Sequence, residues 1–200
     1  MQRTIRGSVL LCGVLVTAVM AHAQQARPNL LPGISSADVA VTYNLERAKI
    51  ADSSCDCFWL NGASAEVAVP VYRGLSAVAS FAGATASNIT PGVDLSKISY
   101  VFGPRSTYDI SRYSSVHLFG EALFGGTHGF NSVFPAAGGS TPTANSFAMQ
   151  LGGGVDVALS RGFGVRALQL DYIRTSLPNN ASNTQNDLRI AFGVTYHAGK

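Results

Sequence analysis

Nine polar or ionisable residues could form one ionic network. In their segments apolar residues occupy every second position, and these nine occupy the positions in between, so all would face the same side. They are Glu46, Glu66, Arg105, His117, Glu121, Gln150, Asp156, Asp171 and Arg189. Their charges are mixed in sign, so the side chains could pair with one another or line a narrow path for ions. An unpaired charge removed from water is costly, which favours pairing. We therefore predict a hydrogen-bonded ionic plug, with a gated ion path as the alternative.

The segment Cys55-Asp56-Cys57 is a second candidate for chemistry. In an oxidising compartment such thiols usually form disulfides, although a ring closed over one intervening residue is small and strained. A disulfide between Cys55 and Cys57, an intermolecular bridge or free thiols, and a metal or redox site are the three alternatives. The sequence has no set of four ligands at zinc-site spacing, so we predict no metal site and no cofactor.

His117 and a neighbouring serine, Ser114 or Ser115, are a third candidate, as a nucleophilic pair. His117 shares the parity of Glu121, which places it with the polar network. A single strand histidine is more often hydrogen-bonded than catalytic. The sequence contains no nucleophile-elbow, Walker-type or dinucleotide-binding motif. We therefore predict no catalytic residues and a protein that is not an enzyme.

The elements that must position these residues are β-strands. Alternation of apolar and polar residues marks eight segments, at roughly 38–46, 58–70, 75–86, 96–107, 115–126, 146–159, 163–176 and 186–197. The last is the clearest, because Leu188, Ile190, Phe192, Val194 and Tyr196 alternate with Asp187, Arg189, Ala191, Gly193 and Thr195. The third segment is so rich in small apolar residues that its inward and outward faces cannot be distinguished from the sequence.

The seventh segment contains a break in parity. Arg166 and Asp171 lie five residues apart, so they cannot both face the same side of a regular strand. A bulge near Ala167-Leu168 would allow both to face inward. In the sixth segment, the glycines Gly152 to Gly154 indicate a strand that another backbone approaches closely.

Eight alternating segments without a helical stripe predict a closed β-barrel, because closure leaves no strand edge unpaired. The connections alternate in length. Those at 72–74, 109–114 and 160–162 are short, whereas those at 48–57, 87–95, 127–145 and 177–185 are long. Short periplasmic turns and long external loops are typical of bacterial outer-membrane barrels. The prediction is an all-β, eight-stranded, antiparallel up-and-down transmembrane barrel.

The N-terminal residues indicate export. Arg3 and Arg6 precede an apolar run of about a dozen residues, too short to span a bilayer, which ends in Ala21-His22-Ala23. The pattern predicts a cleaved signal peptide at 1–23, a periplasmic lead-in at 24–36 and a barrel domain at 37–200.

Charge and composition agree with a wall that faces lipid. Only 12% of the residues are charged, about half the usual share for a soluble domain. Without Arg3 and Arg6, the 14 basic residues fall to 12 against 11 acidic ones, so affinity for nucleic acid is not expected.

Three segments carry a resemblance to a known family: Val116–Glu121, Gly152–Asp156 and Arg166–Tyr172. In layout and composition the chain from about 37 to 197 resembles the small outer-membrane barrels of the OmpA and OmpX type, within the porin-like group. The resemblance implies location in a bacterial outer membrane, contact with its lipid and lipopolysaccharide, and a monomeric state. It also implies a structural or surface-interaction role, with contacts to extracellular or periplasmic proteins, for which the loop at 127–145 is the favoured surface.

Three other functions remain as alternatives. The barrel could be a narrow pore for ions or small solutes, for which bilayer conductance is the test. Some small outer-membrane barrels act on lipid A, so an enzyme of that class is the second. The third is a soluble, lipocalin-like binding protein, which would turn the apolar parity inward around a ligand.

Overall fold

The structure is a computed structural model that describes residues 36–49, 57–90, 92–110, 115–179 and 182–199. The predicted signal peptide and nearly all of the predicted lead-in lie outside these residues. The eight strands are β1 (Ser36–Lys49), β2 (Cys57–Tyr72), β3 (Leu75–Thr90), β4 (Val93–Asp109), β5 (Val116–Ala136), β6 (Gly139–Ala158), β7 (Phe163–Thr175) and β8 (Gln185–Gly199).

The strands form a closed ring in sequence order. Each pairs antiparallel with the next, and β1 pairs with β8, where Glu46 lies opposite Arg189 and Ser36 opposite Gly199. The predicted up-and-down barrel is therefore confirmed. No helix among the described residues is long and apolar enough to cross a membrane.

Ring closure gives the barrel two distinct ends. The terminal end carries Ser36, Gly199 and the connections after β2, β4 and β6; the distal end carries the connections after β1, β3, β5 and β7. The β2–β3 turn is tight, at residues 73–74, and the predicted long connection after β7 spans 176–184. Most of the predicted connection at 48–57 lies outside the described residues.

Side chains alternate between the interior and the exterior along each strand, as period-two geometry requires. In β1, Thr42 and Asn44 are buried while Val41 and Tyr43 are exposed. The small residues of β3 left its facing open, and the structure shows Ser80 inside and Phe81 outside. The even-numbered residues of β3 therefore face the lumen as far as Ala86, after which the pairing register shifts.

The polarity of the barrel is inverted relative to a soluble protein. The buried side chains include nine of charged type: Glu46, Glu66, Lys97, Arg105, Glu121, Arg166, Asp171, Asp187 and Arg189. The exposed side chains include many large apolar ones, among them Val41, Tyr43, Val67, Phe81, Tyr100, Phe102, Phe124, Leu151, Leu170 and Phe192. A lipocalin-like interior would require the opposite arrangement, so the described residues do not fit that alternative.

The bulge predicted in β7 is confirmed. Arg166 pairs with Gly193, but the next partner of β8, Ala191, pairs with Gln169. The two intervening residues of β7 are both exposed. This extra residue resets the parity, so Arg166 and Asp171 both face the lumen.

The prediction of long loops is wrong at two places, where the structure has strands instead. Residues 127–145 belong largely to a hairpin in which β5 and β6 pair as far as Ala136 and Gly139. Residues 87–95 are likewise mostly strand, because Thr90 pairs with Val93. The Gly, Pro, Ser and Thr content indicated loops, but the interspersed Val, Ile and Phe residues favour extended structure. Only the tips turn, and there Gly92 and Gly138 adopt φ angles of 80° and 96°.

Candidate functional site

The middle of the barrel is filled by a large network of charged and amide side chains. Arg105 bonds Glu66 and Glu121, with its Nε 3.0 Å from Glu121 Oε2. Arg166 donates from Nη1 to Glu66 Oε1 at 2.7 Å, and from Nε and Nη2 to the two oxygens of Asp156 at 2.9 and 3.0 Å. Glu66 thus bridges two arginines from different strands, in a charge-assisted arrangement that is strong when desolvated.

Two glutamines extend this network toward β8. Gln150 and Gln169 both donate from Nε2 to Glu121 Oε1, at 2.9 and 3.0 Å. Gln169 also donates to Asp171 Oδ1 at 3.1 Å. Asp171 Oδ2 in turn accepts two hydrogen bonds from Arg189, at 2.9 and 2.8 Å. The amides therefore join the Arg105 and Arg189 ion pairs into one continuous set.

Phe119 supports the two central arginines. The guanidinium carbons of Arg105 and Arg166 lie 4.3 and 4.4 Å from the centre of its ring. The ring face attracts both cations, which otherwise repel one another. This contact helps to hold two like charges in one desolvated layer.

A second, smaller group lies toward the distal end and is called the Lys97 cluster. Lys97 donates to Glu46 and, at 3.1 Å, to Asp187 Oδ2. All three side chains are buried. The cluster therefore joins one cation to two carboxyl groups.

The lumen holds two separate chambers. One of about 420 Å³ lies at the terminal end and is lined by Arg105 and Arg166 among others. The other, of about 360 Å³, lies at the distal end, where Lys97 and Asp187 line it. No residue lines both chambers. Glu121 and Asp171 of the large network line neither chamber, in agreement with the filled interior expected of eight strands.

The nine residues predicted from the sequence all lie on inward-facing positions, but they do not form one group. The large network contains Glu66, Arg105, Glu121, Gln150, Asp156, Asp171 and Arg189. Glu46 belongs to the Lys97 cluster. His117 lies apart at the terminal end, where its Nδ1 is 2.5 Å from Asp109 Oδ1.

Four members of the two groups were not among the predicted residues: Lys97, Arg166, Gln169 and Asp187. A parity signal existed for two of them. Lys97 shares the parity of Arg105 in β4, and Asp187 shares that of Arg189 in β8. Arg166 and Gln169 lie on either side of the bulge. Whether each side chain points into the lumen therefore depends on the exact position of the extra residue in β7.

The cysteine prediction remains open. Cys57 is exposed at the start of β2, whereas Cys55 lies outside the described residues. Within the described part of the chain, no group of three or more His, Cys, Asp or Glu side chains could hold a metal ion.

Comparison with known proteins identifies the fold. No family model and no curated protein sequence matches the chain. Several solved structures do. Neisserial surface protein A, NspA, is 13% identical with a TM-score of 0.60, covering 80% of this chain and 96% of its own. Ail, the attachment invasion locus protein of Yersinia pestis, is 17% identical with a TM-score of 0.54 and coverages of 82% and 98%. The outer membrane protein OprG from Pseudomonas aeruginosa is 8% identical with a TM-score of 0.52 and coverages of 83% and 97%.

These similarities extend over most of every chain compared, although few residues are shared. They establish a common backbone arrangement and confirm the fold that the resemblance implied. Function does not follow from fold, because one barrel architecture supports many roles. The activity must be argued from this chain's own surface and interior.

Proposed function

Because this chain has the fold of the small outer-membrane β-barrels, we propose that it resides in a bacterial outer membrane and acts there through its distal end, with a closed lumen. The observation that carries this proposal is the inverted polarity of the barrel. Phe81, Phe102 and Phe192 are each about half exposed, at 55%, 50% and 48%, on three different strands. Apolar surface of this extent is unfavourable in water but not against hydrocarbon.

The membrane location is tested by a nitroxide attached at Phe192, after replacement of the native cysteines by serine. We expect the Phe192 label to be accessible to oxygen and shielded from a water-soluble nickel reagent in lipid vesicles. The control label at Ser182, in the exposed connection after β7, should show the opposite preference. Equal exposure of both labels to the nickel reagent would contradict a lipid-facing wall.

The closed lumen rests on the large network and on the apolar side chains packed beside it. Ala68, Val78, Val101, Leu123 and Ala148 form a buried cluster inside the ring. Arg105 is held by two carboxylates, and Arg166 by two carboxylates and the amide of Gln169. Opening a path would leave these buried charges without partners. These contacts favour a plugged barrel over the narrow-pore alternative.

Conductance separates the two possibilities. We expect the refolded protein in planar bilayers to give no stable, reproducible opening above the leak of the bare membrane. Compact migration on an unboiled gel, with a shift on heating, would verify that the sample is folded. A discrete conductance step recurring in independent insertions would favour the pore.

A surface-interaction role is supported by the distal end. The β5–β6 hairpin and the connection at 176–184 both lie there, presented by a rigid ring. Ail has been solved with the heparin analogue sucrose octasulfate, so a barrel of this fold can bind a soluble molecule. For this chain we propose contacts with membrane lipid, lipopolysaccharide and external or periplasmic proteins, made by a monomer.

We further propose that this role is not enzymatic. His117, the residue considered for a lipid A-modifying site, faces the lumen at the terminal end and pairs with Asp109. Ser115 is exposed, and Ser114 lies outside the described residues. Incubation of the folded protein with lipid A, followed by mass spectrometry for released acyl chains, would reveal an activity that this arrangement does not favour.

A further inference from the structure

On one side of the barrel, the outward face changes from apolar to polar toward the distal end. The change falls at neighbouring positions of three paired strands, β7, β8 and β1. The last outward apolar or aromatic residues are Tyr172 on β7, Leu188 on β8 and Leu45 on β1. The next outward positions carry Arg174, Asn186 and, on β1, Arg47 and Lys49. Apolar residues end where a transmembrane barrel leaves the hydrocarbon, so these polar residues lie at the level of the lipid head groups.

Arg47, Lys49 and Arg174 together are called the distal basic patch. Arg47 lies opposite Leu188 and Arg174 opposite Asn186, so β8 alone separates the cations of β1 from that of β7. Two strand spacings amount to about 10 Å. All three side chains are exposed. Long, flexible basic side chains at this separation can reach one shared anionic head group.

The distal basic patch carries positive charge that the described residues leave unpaired. The ion pairs among them use other cations: Lys97, Arg105, Arg166, Arg189, His117 and His197. Glu46, Asp171 and Asp187, on the same three strands, are buried on the inward face. The outward face of β7, β8 and β1 therefore presents three cations and no carboxylate, which favours an anionic partner.

The patch lies on one side of the barrel only. No other outward position of the described strands carries lysine or arginine. General anchoring to a charged membrane surface would place cations around the whole ring. Trp59, opposite Arg47 on β2, is half exposed, and Tyr172 is the outward residue before Arg174. Rings of this type lie at the lipid surface, so the patch faces one site among the lipid head groups.

We propose that the distal basic patch binds the phosphorylated disaccharide head group of lipid A, the lipid part of lipopolysaccharide. The site rests on the membrane location and the external distal end proposed above, and it assigns residues to the lipopolysaccharide contact. Lipid A carries two phosphate groups, so one molecule can meet cations on both β1 and β7. Arg174 suits bidentate contact with one phosphate, while Arg47 and Lys49 attract the other. The acyl chains then lie along Tyr172 and Leu188.

The test uses the full folded protein in detergent micelles, with native mass spectrometry to count bound lipids. We expect diphosphoryl lipid A to saturate one site per barrel, and to bind at least tenfold more tightly than phosphatidylglycerol or lipid A stripped of both phosphates. Lys49→Gln combined with Arg174→Gln should weaken the binding of lipid A at least tenfold. Arg73→Gln combined with Arg161→Gln removes two exposed arginines from the terminal turns and should leave the affinity within twofold.

All four substitutions fall at exposed positions, and the gel shift on heating verifies that each barrel is folded. Excess inorganic phosphate should not displace lipid A, because a free anion lacks acyl chains. Equal binding of the dephosphorylated lipid, an equal loss in both double variants, or displacement by inorganic phosphate would each overturn the proposed site. The nitroxide at Phe192 reports the membrane location independently, so a failure of this site is distinguishable from a failure of the proposed function.

Discussion

Arg166→Met is expected to lower the free energy of unfolding by about 3–5 kcal/mol, the range found when one partner of a buried ion pair is removed. Arg166 is 2% exposed and bonds Glu66, Asp156 and Gln169. Methionine replaces the apolar stem of the side chain but cannot donate a hydrogen bond. Glu66, which is 4% exposed, would then retain Arg105 as its remaining cation. Asp156 has a side chain that is 22% exposed, so water can reach it.

The loss should be measured by urea unfolding from lipid vesicles, followed by the fluorescence of Trp59, the single tryptophan, which faces outward. Adding Glu66→Gln to Arg166→Met should recover part of the stability, because it removes the carboxylate left with too little positive charge. Arg161→Met, at an exposed turn position, is the matched control and should change stability by less than about 0.5 kcal/mol. An equal loss for Arg161→Met and Arg166→Met would contradict an energetic role for the network.

The fold was largely predictable because alternation depends on a local rule. In β8, Ile190 and Phe192 fall on one parity and Arg189 on the other, and the structure keeps that division. The number of strands and the side chains that point into the lumen both follow from this pattern. Hairpin extensions were not predictable in the same way. The pairing of Phe134 with Thr141 joins residues only seven apart and extends the β5–β6 hairpin beyond the ring, but the Gly, Pro and Ser content of this stretch suggested a loop.

The candidate site was predictable as a set of inward positions but not as a set of partners. Glu66 and Arg166 are 100 residues apart, and nothing local indicates that they meet. Their contact depends on ring closure and the register of every intervening strand, which the bulge in β7 further adjusts. The distal chamber was missed for the same reason, because Lys97 and Asp187 come together across the lumen from β4 and β8.

Close packing inside the ring also depends on a residue without a side chain. Gly152 faces the lumen between Glu121 of β5 and Asp171 of β7, its partners in the sheet. A Cβ placed there would overlap Asp171 Oδ1 and lie 2.5 Å from the carbonyl oxygen of Leu170. The run of glycines predicts a close backbone approach, and a carboxylate of the network also occupies the space beside Gly152.

Gly152→Val is therefore expected to lower the free energy of unfolding by about 3 kcal/mol, at the upper end for an overpacked interior. Asp171 would have to withdraw its carboxylate from Arg189, to which it is bound by two hydrogen bonds. Gly152→Ala should give a smaller loss in the same direction. Gly83→Val is the matched control, because a Cβ at that strand position meets no atom within 4 Å. Since valine favours extended backbone more than glycine does, Gly83→Val should leave stability unchanged or raise it. Urea unfolding followed at Trp59 compares the three variants, and a Gly152→Val barrel as stable as the unaltered one would show that Asp171 is not confined by this glycine.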